Sequence, residues 1–202
     1  KYLTVETDIV LTGAGTSAFI GDAIAPLLRG VWKNVRAVAT TDIVTNAADY
    51  LVADKPLLLI SFARSGNSPE SVAAVNLANA ICKNVAHIYI TCNKNGHLAQ
   101  SANAENILSL LLPEETDDKS LAMTSSFSTM LLTCLMISQI DHIEAERERI
   151  EAVAANAQAV LSDYADAIEA IAARPFERGV FLGSGPMKGI AEECHLKLQE
   201  LT

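Results

Sequence analysis

Residues Leu57-Leu58-Leu59-Ile60 are apolar at every position and are bounded by Pro56 and Ser61. A strand with one wet face alternates in polarity, so this unbroken run predicts a strand covered on both faces. Short β-branched runs recur at residues 8–12, 35–39, 85–91 and 106–111, with helical segments between them. The first helix is expected over 18–28, stopping near Gly30, and a short helix or turn over 42–50. Residues 69–81 read as a helix with Pro69 in its first turn and Ser68 as N-cap. A short helix at 98–102 and a long apolar one at 125–142 complete the set. Regular β–α alternation with short connections predicts an α/β fold, a parallel sheet of five strands with helices on both faces. Such sheets bind ligands outside the carboxyl ends of their strands, which points to the loops after strands one and three.

From residue 144 to 173 the chain is charged and alanine-rich. Its apolar residues Ile150, Val153, Ala157, Val160, Leu161, Tyr164, Ile168 and Ile171 form one helical stripe, ended by Arg174-Pro175. This helix is expected to be an interdomain connector or an oligomer contact. The opening pattern then returns. Gly179-Val180-Phe181-Leu182 reads as a strand, Gly183-Ser184-Gly185 as a glycine turn and 188–201 as a helix. The same strand, glycine turn and helix begin at Ile9, about 170 residues earlier. The expected division is a first domain at 1–142, a connector at 143–175 and, at 176–202, the start of a second domain cut off after its first helix. The chain is expected to be a fragment of a two-domain protein.

Half of the 202 residues are apolar and the net charge is −9, which favours a packed core and opposes nucleic-acid binding through a basic face. An acidic chain can still bind small anions through local N–H groups and helix N-termini. No membrane span is expected: the apolar stretch at 127–140 is interrupted by Ser128, Thr129, Thr133, Ser138 and Gln139. The opening residues, Lys1 to Glu6, lack the apolar region of a signal peptide. Cys82, Cys92, Cys134 and Cys194 form no CxxC and are expected to be reduced, mostly buried thiols of a cytoplasmic protein. His87, His97, His142 and His195 show no metal-ligand spacing, so no metal is expected.

Three segments carry candidate chemistry. In Thr12-Gly13-Ala14-Gly15-Thr16-Ser17 the glycines let backbone approach an anion, with Thr16 and Ser17 as hydroxyl donors at a helix start. Gly13-x-Gly15-x-x-Ala18 also satisfies a dinucleotide fingerprint. The second segment is Arg64-Ser65-Gly66-Asn67-Ser68-Pro69-Glu70-Ser71, where hydroxyls three apart converge with a fixed positive charge. A dinucleotide site has no need of this loop and would want an acidic residue closing strand two, where Thr40-Thr41 stand. The third is Thr124-Ser125-Ser126, either facing the same pocket or simply capping the long helix.

Together, residues 13–17, 65–68 and the helix start at Thr124 resemble the sugar isomerase (SIS) domain. The strings at 40–46, 63–71, 114–127 and 182–189 look like the tagatose-6-phosphate ketose/aldose isomerase family, which includes galactosamine-6-phosphate deaminase/isomerases. In the aminosugar-phosphate synthase branch of SIS domains the third-strand loop reads Ser-Gln-Ser-Gly-Glu-Thr, against Ala63-Arg64-Ser65-Gly66-Asn67-Ser68 here.

The resemblance implies a flavodoxin-like fold, a phosphorylated sugar as ligand and no cofactor. It implies phosphate binding by Gly15, Thr16, Ser17, Arg64, Ser65, Gly66, Ser68 and Thr124. The Leu196-Lys197-x-x-Glu200 helix resembles the one that carries the family's C1–C2 proton-transferring glutamate, which makes Glu200 the catalytic base and Lys197 its partner. The implied reaction is ketose–aldose isomerisation or aminosugar-phosphate deamination through an enediol or enolamine, on tagatose 6-phosphate or galactosamine 6-phosphate. Glu193 is a poorer candidate, His195 is expected to be a packed or solvent-facing helix residue, and the ring-opening group is expected beyond Thr202. The fragment itself is expected to be inactive, its parent active. The alternative is a non-catalytic sugar-phosphate sensor, which needs the phosphate loops but not Glu200. Exposed apolar surface on the long helix and the stripe predicts a homodimer or larger assembly.

Overall fold

In a computed structural model describing residues 3–202, the chain forms two units, one of residues up to Ser138 together with Phe181–Thr202, the other Gln139–Val180. The expectation for Lys1 and Tyr2 lies outside the described residues.

The first unit runs β1 (Asp8–Thr12), α1 (Thr16–Leu28), β2 (Val35–Ala37), α2 (Thr40–Thr45), α3 (Ala47–Tyr50), β3 (Leu57–Phe62), α4 (Pro69–Ile81), β4 (Val85–Thr91), α5 (His97–Gln100), β5 (Ile107–Leu111) and α6 (Ser125–Ser138). The five strands form one parallel sheet in the order β2-β1-β3-β4-β5. Both faces are covered, as the unalternating Leu57–Ile60 run requires. Ile9, Leu11, Leu58, Ile60 and Ile90 pack with Ile20, Ile24 and Leu28 of α1 and Met130 and Cys134 of α6. On the opposite face Val10, Leu57, Leu59 and Tyr89 pack with Ile43 of α2, Ala74, Val75 and Ala78 of α4, and Leu98 of α5. The order reverses at β1, whose chain neighbour β2 lies on one side and β3 on the other, the arrangement that opens a ligand crevice above adjacent strand ends.

Three expectations are corrected. The long apolar helix ends at Ser138 and passes into a 3₁₀ segment, Ile140–Glu146. The segment expected as a single connector helix forms two helices, α7 (Arg147–Asp163) and α8 (Ala165–Ala172), because Tyr164 leaves helical geometry at φ −115°. Ser162 there bonds the Gln158 and Ala159 carbonyls and Asp163, the side-chain competition that weakens a helix end. Residues 179–182 make no strand: a β segment needs a hydrogen-bonded neighbour, and Val180 and Leu182 stand exposed instead. The last helix, α9 (Pro186–Leu201), belongs to the first unit and packs on α1. All four cysteines are free, with Cys194 exposed and the other three buried. Among the described residues no helix is long and apolar enough to cross a membrane.

One buried polar residue makes stability depend on pH. His87, 1% exposed on β4, donates from Nε2 to Asn79 Oδ1 at 2.9 Å, while its Nδ1 has no partner among the described residues. Burial lowers its pKa from 6.5 to about 4. The unfolded chain therefore takes up a proton near pH 6.5 that the folded chain refuses until about pH 4. Stability from this group is complete above pH 6.5 and is lost as pH falls toward 4, by about 3 kcal/mol. The carboxyls of half-buried Asp22 and buried Glu193, raised by desolvation, act in the opposite sense, so the comparison needs a variant. Urea midpoints at pH 7, 5.5 and 4.5 should fall for the parent and fall markedly less for His87→Gln.

Candidate functional site

The glycine turn after β1 is shaped by contact. A Cβ on Gly13 would lie 2.6 Å from the Ser17 backbone, so only glycine lets the first turn of α1 fold back so closely. Gly15 sits at φ 54° and ψ −128°, in open space. It is the N-cap of α1 and supplies no side-chain cap; the Ser17 and Ala18 N–H groups turn back to the Ala14 and Gly15 carbonyls, and the Thr16 N–H has no partner among the described residues. Ser17 is buried at this turn. Thr16 is buried too, and its hydroxyl donates to Glu193 Oε1 at 3.3 Å.

The serine loop follows β3, the strand beside β1, and Thr12 pairs in register with Ser61 at the two strand ends. Gly66 adopts φ 65°. The loop after β4 holds this segment from behind: Cys92 N and Thr91 Oγ1 donate to the Arg64 carbonyl, Asn93 Nδ2 to the Ser65 carbonyl at 3.0 Å, Leu98 N to the Gly66 carbonyl at 3.1 Å and His97 N to Asn67 Oδ1 at 2.8 Å. Ser65 and Ser68 stay half-buried. Ser68 is the N-cap of α4 as expected, but its hydroxyl donates to Ser71 Oγ at 2.6 Å and does not cap the backbone. Two helix N-termini without side-chain caps, those of α1 and α4, thus open from neighbouring strand ends. Their positive dipole ends suit an anion, and among the described residues the unpaired donors there are the N–H groups of Thr16 in α1 and of Glu70 and Ser71 in α4, Pro69 having none.

The start of α6 is different. Asp118 accepts from the backbone N–H groups of Thr124, Ser125 and Ser126 and from the Thr124 and Ser126 hydroxyls, at 2.7–3.3 Å. Desolvation pushes this carboxyl upward, but the Ser126 hydroxyl and the three backbone donors outweigh it and hold its pKa below the ordinary value. Thr124 therefore stands at a helix start already filled by a carboxylate of the chain. Arg64 reaches the same segment, donating to the Asp118 carbonyl and lying 3.9 Å from Asp117.

On α9, Lys197 contacts Glu200 and lies 3.6 Å from Glu193 Oε1. A Cβ on Gly189 would lie 2.5 Å from Phe19 O and Ala23 N, so glycine is what lets α9 approach the α1 backbone. Glu193 is 6% exposed, and desolvation raises its pKa against the opposing pull of Thr16 and Lys197. Contacts thus join Thr16, Glu193, Lys197 and Glu200 into one group, while Arg64 and Thr124 meet at Asp118. Glu193 was ranked low from sequence: the spacing of 193, 197 and 200 puts it on one helical face with Lys197 and Glu200 but gives no sign of its contact with Thr16. His195 is exposed on that helix. Asn93 and Gly96 were missed, although a loop leaving the strand next to β3 is bound to lie against the serine loop.

The SIS domain family matches residues 2–139. D-galactosamine-6-phosphate deaminase AgaS of Escherichia coli is 52% identical over 197 residues, covering 96% of this chain and 51% of that protein. The Shewanella sp. (strain ANA-3) protein of the same name is 44% identical over 199 residues, covering 96% of this chain and 50% of the relative. The chain thus spans about half the length of the curated relatives it matches. The crystal structure of tagatose-6-phosphate ketose/aldose isomerase from Escherichia coli superposes with a TM-score of 0.90 at 50% identity, over 98% of this chain and 54% of that one. Parallel sheet, glycine turn and serine loop agree with these likenesses, and the chain belongs to the SIS domain family.

Proposed function

We propose that the full protein binds a phosphorylated sugar in the crevice above β1 and β3 and interconverts ketose and aldose, or deaminates a 2-aminosugar phosphate. Its relatives' names favour galactosamine 6-phosphate or tagatose 6-phosphate as substrate. In this reading the phosphate is taken by the free N–H groups at the starts of α1 and α4, with Gly15, Thr16 and Gly66 giving backbone approach and Ser17, Ser65 and Ser68 giving hydroxyls. Arg64 adds positive charge at the loop, and Thr124 lies at its border. Glu200 moves the proton between C1 and C2, through an enediol for a hydroxyl sugar; for an amino sugar the enolamine is reprotonated at C1 to a C2 imine, which water hydrolyses to the ketose with release of ammonia. Lys197 orients this carboxylate or assists the sugar oxygens.

One observation carries this reading. The Lys197–Glu200 pair lies on a helix whose neighbouring carboxylate reaches the glycine turn itself, through Thr16. A sensor needs no such link. Apolar side chains left exposed on α7 and α8, among them Val153, Leu161 and Ile168, favour a homodimer or larger assembly.

Ser65→Ala tests the binding half. Removing one donor to a charged group costs about 1.5–3 kcal/mol, so affinity for galactosamine 6-phosphate should drop about tenfold or more by calorimetry. An unchanged dissociation constant removes Ser65 from the site.

A further inference from the structure

We propose that Glu193 is a positioning residue for the proton-transferring pair: its buried carboxylate holds Lys197 away from exclusive pairing with Glu200 and ties both to the glycine turn through Thr16. This rests on the reading of Glu200 as base.

The internal duplication supplies the control. Gly185, at φ 54° and ψ −130°, repeats the conformation of Gly15, and the two turns are offset by 170 residues. By that offset Glu193 corresponds to Ala23, Lys197 to Leu27, Glu200 to Gly30 and Thr16 to Pro186. The α1–α9 contact is nearly self-related, since Gly189 corresponds to Phe19 and packs on the Phe19 carbonyl. At the position matching Glu193 the packing is met by alanine, 3% exposed. Nothing in the packing asks for a carboxylate there, and burying one is costly. The charged face of α9 therefore serves something else.

The contacts identify that role. Glu193 Oε1 receives the Thr16 hydroxyl at 3.3 Å and faces Lys197 Nζ at 3.6 Å, while Oε2 has no partner among the described residues. Lys197 also contacts Glu200, so one ammonium is divided between two carboxylates. Without the Glu193 charge, Lys197 would pair with Glu200 alone and the repulsion between the two carboxylates would vanish. Both changes make Glu200 a weaker base. Across the contact, the one charged residue of α1 is Asp22, which interacts with Glu192 and Lys188. The Glu193 carboxylate is thus set by Lys197 and Glu200 on its own helix and by Thr16 opposite.

The test uses the full-length protein with galactosamine 6-phosphate and tagatose 6-phosphate. Glu193→Gln should lower kcat about tenfold or more with KM changed less than about threefold, and move the acidic limb of the kcat–pH profile to lower pH. Thr16→Val should lower kcat in the same direction and Thr16→Ser should restore it; should Glu193→Gln fail to fold, this pair decides. Parental kcat and an unmoved acidic limb in Glu193→Gln overturn the proposal. Glu200→Gln separates the two readings. If it retains solvent-deuterium exchange at C2 of galactosamine 6-phosphate, the assignment of the base fails and Glu193 falls with it. If it loses exchange while Glu193→Gln stays parental, only the Glu193 proposal fails.

Discussion

Glu200→Gln in the full-length protein should abolish hydrogen exchange between solvent and C2 of galactosamine 6-phosphate, with kcat reduced on the order of 10³-fold. The amide keeps the shape of the side chain and a contact to Lys197 but has no basic oxygen to take a proton. Affinity for the phosphosugar should stay within about threefold of the parent, because the proposed phosphate donors stand at the starts of α1 and α4 and Glu200 lies in the last turn of α9. That combination, intact binding with no exchange, is what a base gives and a structural ion pair does not. Loss of binding in step with exchange would instead show that Glu200 shapes the pocket, and exchange at the parental rate would place the base elsewhere.

The sheet was legible because its signals are local. Leu57–Ile60 is covered on both faces, Ser68-Pro69 opens α4 and Gly13–Gly15 separates β1 from α1, each written in a few consecutive residues. Misreadings arose where structure depends on distant partners. Residues 179–182 have strand composition but pair with no strand among the described residues. The stripe from Ile150 to Ile171 has helical period, but the break at Tyr164 comes from Ser162 and Asp163, which periodicity does not weigh. At the site, the hydroxyl-rich loops were visible as motifs. The residues that hold them were not: Asp118 fills the start of α6 from six residues before Thr124, and Glu193 meets Thr16 across 177 residues of sequence. Spacing along a helix can place Lys197 beside Glu200, but no spacing within one element brings a carboxylate to a turn in another.

The serine loop depends on its neighbour in the same way, and there the largest effect on binding is expected. Gly96 has φ −67° and ψ 149°, ordinary extended backbone that alanine adopts without strain. Space is what alanine lacks, since a Cβ at 96 would lie 2.3 Å from the Ser65 carbonyl oxygen and 3.1 Å from Gly66 Cα. Both obstacles are backbone and cannot swing aside, so one loop must move. Moving either strains the bonds that Asn93, His97 and Leu98 donate to residues 65–67. The Ser65 hydroxyl and the N–H groups opening α4 then no longer converge on one point. Losing two charge-assisted donors at about 1.5–3 kcal/mol each predicts phosphosugar affinity at least about 100-fold weaker for Gly96→Ala. Gly30→Ala is the matched control, because its nearest neighbour, the Leu27 carbonyl oxygen, would lie at an ordinary 3.5 Å. Calorimetry with galactosamine 6-phosphate should find Gly30→Ala unchanged and Gly96→Ala barely binding, while far-ultraviolet circular dichroism of both matches the parent. Parental affinity in Gly96→Ala would mean that the serine loop tolerates displacement, and that the phosphate is held elsewhere than on Ser65 and the start of α4.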